Sequence, residues 1–452
     1  MSSNQGESIT NPTKSPAKVI IVGAGLAGLA CARRLQEAGV EWLMLESECI
    51  PGGRVRTQLT PEGYRIDQGF QVLLDSYPIA RRLLDLEELK PRYFESGALL
   101  AGEEGWERLL NPLHHPSWFL AAVATKSFSL REKITLGLYA GSQILRSDTS
   151  ILGREAGLST MEELQRLGLD GSITGNFLKP FFGGVFLDSS LGSDASIFRY
   201  DLKKFAFGRA LLPAEGMGAI PKQLASRLPS HRLRYGAKVE LLQRNKGRVS
   251  AVRLENGESI PCDLLILATD ERTSLRLLGA SNSTGRLWME VSTLYFTGDN
   301  PLYEGRLLVL PESGSGSLEK RRLVTHFTDL TNTVPEYAPK GKRLLSATVL
   351  HPPLGSDGDN EIEDLETFLS GVRAEIKAML PSFAAWEFLQ EVRIRQALPS
   401  QAPGFMKSRP ERRPLPNLWL TGDQVAHASI DSALASGLDT AEEVLNCLHL
   451  PF

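Results

Sequence analysis

Cysteine is scarce in this chain: four in 452 residues, at Cys31, Cys49, Cys262 and Cys447, with no C-x-x-C pair and no histidine at ligand spacing. That excludes a disulfide framework and a structural zinc site, and it points to reduced thiols in a cytosol-like compartment. Long apolar runs are missing as well. The densest apolar patch, residues 118–124, falls far short of the roughly 18 residues that a membrane span requires. Charge of one sign is also absent: 50 Lys and Arg against 53 Asp and Glu leave a net charge of −3, so there is no electrostatic case for nucleic acid or an anionic membrane as a partner. Residues 1–17 have neither the apolar core of a secretory signal nor the arginines of a transit peptide, so a disordered leader and a cytoplasmic protein are expected. No Ser/His/Asp triad and no metal constellation stands out.

What is present starts at Lys18. The run KVIIVGAGLAGLACARRL carries a continuous apolar strand, Val19 to Val22, straight into G-x-G-x-x-G and then a helical stretch that stops at Gly39. Gly23 suits the tight turn, Gly25 lets a pyrophosphate approach the backbone, and Gly28 lets the helix pack closely on the strand; Ala24 and Leu26 lie between them. The free N–H groups and dipole of that helix suit a diphosphate. A second strand, Trp42 to Leu45, ends in Glu46, where this arrangement sets a carboxylate against a ribose diol. The turn alone does not choose between NAD, NADP and FAD. A second glycine turn, Gly52–Gly53, follows six residues after Glu46, and Arg54 offers a guanidinium to phosphate oxygens. At this length two or three domains are expected.

The order of glycine turn, L-E and G-G-R, here LESECIPGGR, resembles the flavin-dependent superfamily of amine oxidases, protoporphyrinogen oxidases and carotenoid and squalene desaturases. The far end is similar too. PNLWLTGDQVAHASIDSALASGLDTAEEVL (416–445) reads as a short strand, a glycine turn and a helix with small residues on one face. The resemblance implies FAD, with Gly422 and Asp423 binding the cofactor, Ile430 beside the flavin ring, and the N-terminus of the last helix aimed at the flavin pyrimidine edge. In the centre, GAKVELLQRNKGRVSAVRLENGESIPCDLLILATD alternates like a β-meander with a turn at Asn256–Gly257. Its resemblance to the superfamily implies that Val239 meets adenine through its backbone. The stretch 63–78 implies an active-site lining of Gly69, Phe70 and Gln71. No other glycine fingerprint follows a strand, so a bound nicotinamide is not expected.

The fold class implied is α/β: a Rossmann-like, glutathione-reductase-like FAD domain, with a doubly wound parallel sheet plus a β-meander, and an inserted α+β substrate domain. The expected division gives 18–80, 211–275 and 395–452 to FAD, and 81–210 and 276–394 to substrate. The chemistry implied is hydride transfer to flavin N5, which the cofactor supplies while the protein positions the substrate; the catalytic side chains stay open.

Departures narrow the class. Ser47 and Glu48 stand where many members carry a basic residue, and Ser429 stands where amine oxidases place a cage tyrosine. No cysteine occupies the region that holds covalent flavin in monoamine oxidases, so FAD is expected to be non-covalent. The central run FLKPFFGGVFLDSSLGSDASIFRY resembles the desaturase and protoporphyrinogen-oxidase-like branch. The substrate implied is apolar, of isoprenoid, carotenoid, squalene or tetrapyrrole type, with oxygen or a quinone as acceptor. Phe177, Phe181, Phe182, Phe186 and Phe198 could line a tunnel, although the core is the stronger expectation. Two alternatives stay open: an amine oxidase of the same superfamily, and a non-catalytic escort-type binding protein on this scaffold. Peripheral membrane contact through residues 117–145, where apolar residues mix with Lys126, Arg131 and Lys133, is a further expectation.

Overall fold

The computed structural model describes residues 18–102, 105–118, 124–280, 286–312, 322–353 and 364–448. The expected leader at 1–17, the S-G-S-G-S run at 313–317 and most of the 118–124 patch lie outside them.

Two sheets organise the chain. The first is parallel and five-stranded, in the order Leu233–Arg234, Trp42–Leu45, Val19–Val22, Leu264–Leu267, Leu418–Leu420. Its central strand is buried on both faces. Val19 and Ile21 pack with Leu29 and Leu35 of helix Leu26–Glu37 and with Leu438 of helix Ile430–Cys447. Ile20 and Val22 pack instead with Val239, Val252 and Ile260 of the three-stranded meander that covers the other face. Burial on two sides is why the sequence runs apolar without alternating. The expected Rossmann-like sheet and meander are both present.

The second sheet has seven strands, in the order Glu387–Pro399, Trp288–Gly298, Arg343–Leu350, Val324–Asp329, Leu308–Pro311, Gly97–Gly102, Gly105–Leu110. Along its strands, side chains alternate between two environments. Leu294, Phe296, Leu345, Ala347, Val349 and Phe327 face a core closed by Phe368, Val372 and Ile376 of helix Leu365–Met379. The opposite face turns towards the first sheet, where Tyr295 joins that sheet's core. Further along the same face, Leu308 and Leu310 meet a phenylalanine-rich layer. In that layer Phe182, Phe186 and Phe198 are fully buried, with Phe177 and Phe181 packed beside them, so these rings are core.

Asp67 ties the two parts together. Its backbone carbonyl accepts from the Tyr295 hydroxyl at 3.0 Å, and its carboxylate accepts from the Tyr337 hydroxyl at 2.6 Å, the Met217 N–H at 3.0 Å and the Thr57 hydroxyl. Burial pushes Asp67 up to about 6 against the pull of those hydrogen bonds. None of the described helices is long and apolar enough to cross a membrane.

Candidate active site

The first glycine turn is shaped by close approaches. Gly23 has φ +106°, and a Cβ there would lie 2.7 Å from the Ala268 carbonyl oxygen. A Cβ on Gly28 would overlap the carbonyl oxygen of Gly23. Both positions therefore need glycine for the protein's own packing. Gly25 differs: a Cβ there meets nothing within 4 Å. Its backbone presents an open face at the start of helix Leu26–Glu37, with Leu26 as the first helical residue.

Glu46, buried at the end of the second strand, accepts from the Ala24 N–H at 2.6 Å and from the Glu48 N–H at 2.9 Å. The carboxylate is thereby fixed against the turn. Val239 opens the meander close by, because Ala237 two residues earlier donates its N–H to the Glu46 carbonyl at 2.7 Å. Gly52 donates to the Ala24 carbonyl at 2.9 Å, and a Cβ on Gly53 would sit 3.7 Å from Gly25 Cα. The two glycine turns thus lie edge to edge.

Arg54 leaves the second turn and pairs with Asp423 at 2.6 Å, while also donating to the Ala397 carbonyl at 2.8 Å. Asp423 follows Gly422, which has φ +99°. Burial raises the Asp423 carboxyl, but the charge and hydrogen bond of Arg54, with help from Arg286, outweigh it and hold the group below its ordinary range. Gln71 donates to the Arg54 carbonyl at 3.1 Å and keeps its Oε1 buried without a partner. Gly69 and Phe70 lie against the second sheet, where the Phe70 N–H donates to Thr293 Oγ1 at 3.3 Å. Ile430 is the first residue of the last helix, capped by Ser429, whose hydroxyl accepts from the Ser432 N–H at 3.0 Å.

The structure adds residues that no motif marked. Arg286 is buried and donates to Glu271 at 3.2 Å and to the Gln424 carbonyl at 3.3 Å. The Gln424 Oε1 is buried without a partner. His427, beside the last helix, bonds Ser432 Oγ through Nδ1 at 2.9 Å and meets the Tyr200 ring edge-on; burial and Arg409 push it down to about 4.

These features fit a flavin adenine dinucleotide. An open glycine backbone at a helix N-terminus suits a diphosphate, a fixed carboxylate suits a ribose, and two buried amide oxygens lack donors. Among the described residues no cluster of His, Cys, Asp and Glu could hold a metal ion.

Comparison with known proteins agrees. The family model of flavin-containing amine oxidoreductases matches residues 26–445. A phytoene dehydrogenase of Streptomyces griseus is 27% identical over 72% of this chain and 71% of its own. A "Probable zeta-carotene desaturase" of Synechococcus elongatus is 25% identical over 95% of this chain and 98% of its own. The solved structure of putrescine oxidase with bound putrescine shares the fold at a TM-score of 0.69 and 16% identity, over 96% of this chain and 99% of that one.

Proposed function

The chain belongs to the flavin-containing amine oxidoreductases, and from that premise we propose that this FAD-dependent enzyme dehydrogenates an apolar small molecule of isoprenoid or tetrapyrrole type. Bound FAD supplies the hydride acceptor. In this reading Gly23, Ala24, Gly25, Leu26 and Gly28 receive the diphosphate and Glu46 the adenosine ribose. Gly52, Gly53 and Arg54 close over the diphosphate, and Val239 borders the adenine. Gly422, Asp423 and Ile430 hold the ribityl and flavin end, and Gly69, Phe70 and Gln71 line the reacting face. The segments expected to bind FAD and substrate supply, respectively, the five-stranded sheet with its meander and nearly all of the seven-stranded sheet. Strand Glu387–Pro399 runs across the boundary expected at 394.

The observation that carries an apolar substrate is the wall beside Arg54 and Gln71. Phe70 packs edge-on to Phe94 and against the His326 ring, at the edge of the cofactor-domain core. Ser429 argues against amine oxidation: where amine oxidases carry a tyrosine, this hydroxyl caps a helix. The experiment is aerobic incubation of the holoprotein with isoprenoids, porphyrinogens and amines, read by mass spectrometry. A product lighter by two hydrogens from an isoprenoid or porphyrinogen supports the reading. Turnover of amines alone would overturn it.

Membrane contact belongs to the same reading. Helix Leu130–Ile144 sets Leu136 and Tyr139 against the phenylalanine-rich core, buries Glu132 and Gln143 on the same side, and completes a capping box between Glu132 and Ser129. Leu130, Ile134 and Leu138, spaced four apart, are 58%, 53% and 72% exposed. A helix with this outward apolar stripe, with Arg131 and Lys133 in its first turn and Lys126 just before it, is suited to lie on a lipid surface, where an apolar substrate resides. We place the protein in the cytoplasm, associating with membranes through this helix, with oxygen or a quinone as acceptor.

A further inference from the structure

One row of side chains crosses the second sheet on the face turned towards the cofactor domain. Thr293 pairs with Thr348, and Thr348 pairs with His326, on three adjacent strands. Directly paired residues share a face. Thr293 marks which face it is, because its hydroxyl accepts the Phe70 N–H. At the other end of the row, the His326 ring lies 5.4 Å from the Phe70 ring, and helix Lys179–Phe186 packs over its strand. The row sits where the cofactor-domain core ends and the phenylalanine-rich core begins.

The polar side-chain atoms of its other two members lack partners. Nδ1 and Nε2 of His326 and Oγ1 of Thr348 are all buried without a hydrogen bond, and His326 is only 4% exposed. Leaving three such atoms unsatisfied in a folded interior is costly, and leucine and valine would fill the same volume without that cost. The packing also makes room for this imidazole: a Cβ on Gly184 would lie 2.6 Å from His326 Nδ1 and Cε1. Burial keeps the ring neutral, pushed down to about 4. A neutral imidazole offers one donor and one acceptor, and a threonine hydroxyl offers both. That set complements a hydroxyl or carbonyl oxygen and provides no counter-charge for an ammonium or a carboxylate.

We propose that His326 and Thr348 bind an oxygen function on an otherwise apolar substrate, so that the enzyme selects an oxygenated molecule over the parent hydrocarbon. The apolar body rests on Phe70 and its neighbours. The oxygen lies up to two strand spacings, roughly 10 Å, along the row from the Thr293–Phe70 contact. The substrate is therefore held by its oxygen as well as by its apolar body, which sets which bond reaches the flavin side.

This rests on the apolar-substrate reading, and the test separates the two. FAD-loaded protein is titrated, in detergent micelles, with geranylgeraniol and with the hydrocarbon that lacks only its hydroxyl, following the perturbation of the flavin absorbance. Wild type is expected to bind the alcohol about tenfold more tightly, the scale of one or two hydrogen bonds to buried groups. His326→Leu and Thr348→Val are each expected to abolish that preference, Thr348→Val while leaving the hydrocarbon Kd unchanged, and Thr348→Ser to retain it. Thr348→Val is nearly isosteric, so its melting curve and flavin content confirm an intact fold. Equal affinities in wild type, or a preference that survives both substitutions, overturns the proposal and leaves the apolar-substrate reading standing. If neither ligand perturbs a bound flavin, the proposal and the isoprenoid form of the apolar-substrate reading are both overturned.

Discussion

Asp423 joins the second glycine turn to the C-terminal motif through its pair with Arg54. It is nearly buried, paired with Arg54, and influenced by Arg286. Replacing it with alanine removes a charge-assisted hydrogen bond worth about 1.5–3 kcal/mol. Asp423→Ala is therefore expected to raise the Kd for FAD by roughly ten- to a hundredfold, measured by quenching of flavin fluorescence on rebinding. Asp201 presents a different case. Burial pushes its carboxyl up to about 7, with Lys204 opposing. The folded state thus holds a proton that the unfolded chain loses near 3.8, so the contribution of this group is full below pH 4 and lost as pH rises through 7. Asp201→Asn is expected to melt higher than wild type near pH 8, by about 2–4 kcal/mol in stability, with the gain vanishing by about pH 4. Melting curves across that range check it. At this scale the sequence was readable wherever one residue type is obligatory. Gly23 needs a positive φ and Gly28 a close approach, and both show as glycine. Arg286, His326 and Thr348 were not readable, because their importance lies in neighbours from distant strands and no spacing in the chain marks them.

The last helix, Ile430–Cys447, is the element that connects the cofactor turn with the active-site side. It crosses the first helix at a glycine: a Cβ on Gly437 would overlap the Ala27 carbonyl oxygen, one residue before Gly28. Gly437→Val would force the helices apart, costing about 1–3 kcal/mol and shifting the segment that carries Gly25. Lower stability together with weaker FAD retention is expected, read by thermal unfolding with and without added FAD. A variant that binds FAD normally would show that the crossing does not position the turn. Elements such as these were legible to within a residue or two. The strands Val19–Val22, Trp42–Leu45, Leu264–Leu267 and Leu418–Leu420 stand out because two-sided burial demands unbroken apolar runs. Helix Leu365–Met379 begins at its Asp364 cap. The order of the seven-stranded sheet was not legible: strand Gly97–Gly102 pairs with Leu308–Pro311, some 200 residues away, through apolar faces that carry no address.

At the scale of the molecule, the seven-stranded sheet closes over the cofactor half through Asp67, Tyr295 and Tyr337. Helix Leu130–Ile144, from the chain between the two glycine-turn regions and the meander, shows an apolar stripe at the surface. The double variant Ile134→Asp, Leu138→Asp is expected to stay in the supernatant when sedimented with phospholipid vesicles, while wild type pellets with them in proportion to lipid. Equal behaviour of the two proteins would remove the helix from the docking surface. Fold and cofactor class could be read before the structure because three separated motifs had to meet at one site, and they do. The substrate side was open because phenylalanines in a core and phenylalanines along a tunnel look alike in a sequence. Anaerobic reduction tests whether FAD held at this site would accept a hydride from an apolar molecule at the Phe70 side. On mixing oxygen-free holoprotein with isoprenoid or porphyrinogen substrates, the flavin band at roughly 450 nm is expected to bleach and to return on admission of the acceptor. A flavin that keeps its oxidised spectrum with every apolar candidate, yet bleaches with an amine, would make the protein an amine oxidase instead.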